Sequence, residues 1–167
     1  MDASYVTPFV NSVTNVFETM LQLPVTSGEP SLKSQGEPSF DVSGIIGMSG
    51  DLEGAIVLSF PITTAERVVS LFTGTETSHT DDDFADAVGE LVNMVSGGAK
   101  AQFPGKQVNI SCPSVVIGKD HQVFGRKDVL CICIPCQTDV GDFNVEVSVR
   151  KSASQAAMGN NQQAGAA

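Results

Sequence analysis

DDDFADAVGELVNMVSGGAK, residues 81–100, reads as one long helix with two unlike faces. At about 100° per residue, Phe84, Val88, Leu91 and Val95 share a stripe, the i, i+4, i+7, i+11 spacing of a helix packed on a core. The same arithmetic places Asp86, Glu90, Asn93 and Gly97 in a second row that faces solvent. Asn is a mediocre mid-helix residue because its side chain competes for backbone hydrogen bonds, and nothing in the helix itself calls for one at position 93. Any exposed helix face carries polar residues, however, so this row also fits a plain solvated surface. Thr80 is the expected N-cap, with three aspartates in the first turn meeting the positive end of the helix dipole. Pro104-Gly105 ends the element near Phe103.

Upstream, residues 5–23 form a helix whose apolar stripe is Phe9, Val13, Val16 and Met20, with Asn11, Asn15 and Glu18 opposite and Pro24 just past its end. Residues 25–33 are polar and broken by Gly28 and Pro30, as suits an edge strand. In 39–48, Phe40, Val42, Gly44, Ile46 and Met48 alternate with Asp41, Ser43, Ile45 and Gly47. Ser49-Gly50-Asp51 then turns the chain into the more apolar strand 52–60. A short helix over 63–72 follows, with Gly74 beyond it. Downstream lie segments 106–112, 113–119, 122–125, 129–138 and 143–151. In the last of these, Val145, Val147 and Val149 share one face while Asn144, Glu146, Ser148 and Arg150 share the other. This order is α+β: helices gathered against an antiparallel or mixed sheet.

The 167 residues, 41% of them hydrophobic, suffice for one well-cored domain, taken as 1–152. From 153 to 167 bulky apolar residues almost vanish, which predicts a flexible tail. Nineteen acidic against nine basic residues give a net charge of −10, which argues against nucleic acid or an anionic membrane as partner. With no signal-peptide pattern and no apolar run of the roughly 20 residues that span a bilayer, a cytoplasmic protein is expected.

Cys131-Ile-Cys133-Ile-Pro-Cys136 contains a C-x-x-C spacing that, with Cys112 or His121, raises a zinc site as one reading. The other reading, preferred here, is an apolar strand in which Cys131 and Cys133 act as small hydrophobes; no metal site is assigned. His79 and His121, the only histidines, are read as loop residues. No phosphate-binding glycine loop, nucleophile elbow or H-E-x-x-H pattern occurs.

Asp86-x-x-x-Glu90-x-x-Asn93, followed by Gly97-Gly98-Ala99 and later by Pro113, resembles the signature of the CheC/CheX/FliY phosphatases of bacterial chemotaxis. The segment NSVTNVFETM, residues 11–20, is similar to the first helix of the CheX type, and the likeness spans roughly residues 5–151. It implies a CheC-like pseudo-symmetric fold, with long helices packed against the sheet. In the family, CheC-like proteins can carry the motif in both halves and the CheX type only in the second. Laying Val13 on Val88 brings Asn15 onto Glu90 and Glu18 onto Asn93, so the polar types are interchanged and the sequence looks like the one-site type.

The resemblance further implies a phosphatase that hydrolyses the aspartyl phosphate of a CheY-like response-regulator receiver. Asn93 would orient the attacking water and Glu90 would pair with the receiver's lysine; Asp86, Gly97, Gly98 and Pro113 would meet the partner. The chain would need no cofactor of its own, because the receiver supplies Mg2+. CheX-type proteins are homodimers, and segments 25–33 and 129–138 offer edges for joining two sheets. A non-catalytic module that docks a receiver or switch protein is the alternative.

Overall fold

The computed structural model describes residues 3–153. The element order is α1 (Thr7–Leu21), β1 (Thr26–Ser27), β2 (Ser31–Leu32), β3 (Val42–Gly50), β4 (Leu52–Phe60), α2 (Ile62–Thr73), α3 (Phe84–Lys100), β5 (Val108–Ile110), β6 (Ser114–Ile117), β7 (Ile132–Thr138) and β8 (Gly141–Lys151), with a 3-10 turn at Ala3–Tyr5 ahead of α1. The tail expected at 153–167 lies, from residue 154 on, outside the described residues.

Every pairing of these strands is antiparallel. The sheet runs β1/β2, β7, β8, β4, β3, β5/β6, a palindrome about the β8 and β4 pair. Each half of the chain contributes one central strand and its neighbour, and sends its edge segments to the other half: β1 and β2 pair with β7, while β5 and β6 pair with β3. This is the pseudo-symmetry that the family resemblance implies.

At the centre, Ile56 pairs with Val147 and Leu58 with Val145, all buried on the helix side of the sheet. Burying each of these side chains contributes about 1.5–3 kcal/mol relative to exposure. Phe143 stacks between Phe17 of α1 (centroids 4.9 Å apart) and Phe60 (5.0 Å), locking helix to sheet. Gly54 holds φ 145° opposite β8, and a Cβ there would lie 1.8 Å from the Ser148 carbonyl oxygen, so only glycine fits the central pair.

Four expectations change. Met20 is 49% exposed while Phe17 and Leu21 are buried: in the last turns of α1 the buried side runs through Phe17 and Leu21 instead. Segment 129–138 is no edge, because β7 lies between β8 and the β1/β2 pieces. Segment 122–125 forms no strand.

Thr80 is not the N-cap of α3. Asp83 holds that place without a side-chain cap bond, and Asp86 is the acidic residue of the first turn. The preceding linker is held by tertiary contacts instead. Glu66 of α2 accepts from the His79 N–H (3.0 Å), lies 2.6 Å from His79 Nδ1 and accepts from the Ser78 hydroxyl (3.3 Å); Asp81 accepts from the Ser78 N–H (2.8 Å).

The second face of the sheet carries Glu146, which is 3% exposed. Lys33 meets its carboxylate at 2.6 Å, and the Ser39 hydroxyl lies within hydrogen-bond reach of both carboxylate oxygens. An unpaired buried charge would cost several kcal/mol, so these long-range partners are what permit a glutamate there.

Candidate functional site

Helix α3 sits close to its supports because the contact residues are small. A Cβ on Gly44 of β3 would lie 3.1 Å from Val92 Cγ1, and one on Gly98 would lie 2.3 Å from Ser12 Oγ of α1. Ser12 in turn donates its hydroxyl to the Val95 carbonyl at 2.6 Å. Gly98 therefore faces α1 and is spent on helix contact, which removes it from the expected partner-facing set. Gly97 has open space where a side chain would project.

The outward row stands as its spacing predicts. Asp86 and Glu90 are exposed, and Asn93 is half-buried. Among the described residues none of these three side chains has a hydrogen-bond or ion-pair partner. An amide and a carboxylate one helical turn apart, about 5–6 Å between Cβ atoms, are thus free to engage a visitor.

Pro113, remote in sequence, is brought to this turn: a Cβ on buried Gly89 would lie 3.3 Å from Pro113 Cγ. Gly89 and Asn93 are four residues apart and hence neighbours on the helix surface. The structure therefore unites Asp86, Glu90, Asn93, Gly97 and Pro113 on one surface and sets Gly98 apart. Gly89 was not singled out in the sequence; its signal was a glycine inside an otherwise regular helix.

The row itself offers no histidine, thiol or hydroxyl; its polar groups are two carboxylates and one amide. An amide can donate to and accept from one water, and a carboxylate can hold a cation. Exposed Cys112 precedes Pro113 in the chain, while Cys131, Cys133 and Cys136 lie on or just before β7. Burial pushes Cys133 up to about 11 and Cys136 up to about 12, so both stay protonated at neutral pH and are poor nucleophiles. His79 and His121 lie in loops, the latter bonded to Ser43 Oγ (2.8 Å) and the Gly118 carbonyl (2.8 Å). Among the described residues no cluster of three His, Cys, Asp or Glu side chains is placed to hold a metal ion, and no helix is long and apolar enough to cross a membrane.

The family model described as chemotaxis phosphatase CheX matches residues 42–137. The CheY-P phosphatase CheX of Thermotoga maritima is 33% identical over 153 residues, covering 90% of this chain and 98% of that one. A CheC-like superfamily protein from Shewanella sp. PV-4 superposes with a TM-score of 0.81 at 32% identity, over 90% of this chain and 99% of its own. The CheX chain of a complex with CheY, BeF3 and Mg2+ from Borrelia burgdorferi gives a TM-score of 0.73 at 26% identity, over 88% and 98% of the two chains.

Proposed function

The chain belongs to the chemotaxis phosphatase CheX family, and from that premise we propose that it hydrolyses the aspartyl phosphate of a CheY-like receiver, with Asn93 orienting the attacking water and Glu90 pairing with the receiver's lysine. The observation that carries this reading is the outward α3 row, on which exposed Glu90 and half-buried Asn93 stand one turn apart with no partner of their own. Such a pair suits this substrate. The acyl phosphate is already reactive, so positioning and charge stabilisation supply most of the catalysis.

Water attacks phosphorus in line with the bond to the aspartyl oxygen. That bond breaks, the aspartate carboxylate leaves, and the proton of the water passes to the phosphate released. The chain's part is to hold the water through the Asn93 amide and to fix the docking through Glu90. Mg2+ enters with the receiver, as the Borrelia burgdorferi complex of CheX with CheY, BeF3 and Mg2+ suggests. Asp86 lies one turn back on the row and Gly97 one turn on, where a flat surface lets the partner close in. Pro113 borders the site.

We further propose that 1–152 fold as one domain, with 153–167 outside it, and that the protein acts in the cytoplasm as a symmetric homodimer. The exposed sheet edges β1/β2 and β5/β6 provide the surfaces for joining two copies. Sedimentation equilibrium showing only a 17.4 kDa species at tens of micromolar overturns the dimer.

The deciding experiment follows loss of label from a CheY receiver phosphorylated with radiolabelled acetyl phosphate in Mg2+, beside a binding assay with the BeF3-activated receiver. Asn93→Ala should slow dephosphorylation by ~10²-fold or more, as expected for losing one positioned polar group at a transition state. Docking should survive. Glu90→Ala should weaken both binding and rate. Equal rates for wild type and Asn93→Ala with binding intact would leave a docking module in place of the enzyme.

A further inference from the structure

The edge of the sheet beside α3 is irregular at one place. β3 pairs with β5 up to Met48 opposite Ile110, and with β6 from Ile45 opposite Ser114. Between those points Ile46 and Gly47 face Ser111, Cys112 and Pro113. The edge strand therefore carries one extra residue, a β-bulge.

Ser111 closes that bulge. Its N–H donates to the Gly47 carbonyl at 2.9 Å. Its hydroxyl accepts from the Gly47 N–H at 2.9 Å and donates to the Cys112 carbonyl at 2.8 Å. A side-chain oxygen thus takes the place of a ladder carbonyl, and the carbonyl displaced by the bulge is satisfied in turn. Proline, which has no N–H for the ladder, is tolerated at such a position. Its ring is delivered onto Gly89, the buried glycine four residues before Asn93.

We infer that Ser111 is a positioning residue for dephosphorylation: by pinning the bulge it holds Pro113 against Gly89 and so fixes the wall beside Asn93. This rests on the assignment of Asn93 above. The hydroxyl touches neither partner nor phosphate in this role. Bulges re-aim side chains, and here the side chain re-aimed is a rigid ring on the helix that presents the amide. A displacement of about 1 Å at a positioned group can cost up to 10²-fold in rate, so losing the pin should be visible in turnover.

Ser111→Ala should lower the single-turnover dephosphorylation rate about tenfold, with binding to the BeF3-activated receiver unchanged. Ser111→Thr, which keeps the hydroxyl, should restore it. In an Asn93→Ala background, Ser111→Ala should have no further effect, because it acts only through that amide. Should Ser111→Ala fail to fold, Pro113→Ala keeps all three hydrogen bonds, loses the ring, and should show the same dependence on Asn93. An undiminished rate for the folded variant, failure of threonine to rescue, or the same fold-loss with and without Asn93 overturns the inference. The assignment of Asn93 fails separately, if Asn93→Ala alone keeps wild-type turnover.

Discussion

Helices α1 and α3 occupy equivalent places in a palindromic sheet, yet only one carries the candidate chemistry. Both turn a polar row outward: exposed Asn11, Asn15 and Glu18 on α1, and exposed Asp86 and Glu90 with half-buried Asn93 on α3. The order of carboxylate and amide is reversed between them. The α1 row is also partly committed, since the Asn11 amide donates to Gln102 Oε1 at 3.1 Å. Support differs as well. Gly89 on α3 receives the Pro113 ring, whereas the corresponding residue of α1 is Thr14, and its edge pieces β1 and β2 are two residues each. The fold supplies two similar platforms, and a site requires in addition the right order of two side chains and a wall beside them.

The sharpest test compares matched deletions. Asn93→Ala should reduce receiver dephosphorylation by ~10²-fold, while Glu18→Ala, its counterpart on α1, should stay within about twofold of wild type. Comparable losses from both would mean that both platforms work.

Next in size is a stability contrast at the seam between the helices. Gly98→Ala drives a methyl against Ser12 Oγ, whose hydroxyl is held by the Val95 carbonyl, and should cost roughly 1–3 kcal/mol. Gly97→Ala faces open space and should be neutral or stabilising by up to about 1 kcal/mol from helix propensity. Thermal melts that fall equally for both would show that Gly98 is not the seam.

A smaller effect concerns the linker that delivers α3. The backbone N–H of His79, bonded to Glu66, is the largest influence holding that carboxyl below its usual range. A depressed pKa contributes stability above the unfolded value of about 4.3, lost as pH falls through the folded value. Glu66→Gln should therefore melt a few degrees below wild type at pH 7, with the gap closing below pH ~4. A gap that persists in acid would remove the carboxylate as its cause.

The smallest expected effect is none. Asn15→Glu with Glu18→Asn, made in an Asn93→Ala background, restores the order on α1 but not the wall, and should recover no measurable dephosphorylation. Recovery would show that side-chain order alone suffices.

Local periodicity carries much of this architecture. The row on α3 and the strands β3, β4 and β8 are legible because their periods of 3.6 and 2 are set by neighbours in the chain. What escaped depends on residues far apart. Met20 reads as buried because it continues the Phe9, Val13 and Val16 spacing, yet it is 49% exposed. Thr80 reads as a cap until Glu66 claims the linker. No local pattern announces that Ser111 fills a gap in a ladder with β3, because a bulge exists only relative to its partner strand's register. Glu146 reads as one more polar residue of an alternating strand, and its burial becomes intelligible only once Lys33 and Ser39 are placed beside it.

The exchanged edges of the sheet bear on how the chain is made. Thr26 pairs with Gln137 and Ser27 with Cys136, so β1 leaves the ribosome long before its partner strand exists. At synthesis rates of 5–20 residues per second, the intervening hundred or so residues take roughly 5–20 s. Through that interval the first half holds α1 and the β3 and β4 hairpin but lacks the strands that flank them, leaving the open side of β4 available for mispairing. Such non-local pairing is the kind that slows folding. A nascent chain stalled before β7 should therefore be protease-sensitive throughout, and protection should arrive in a single step once β8 has emerged.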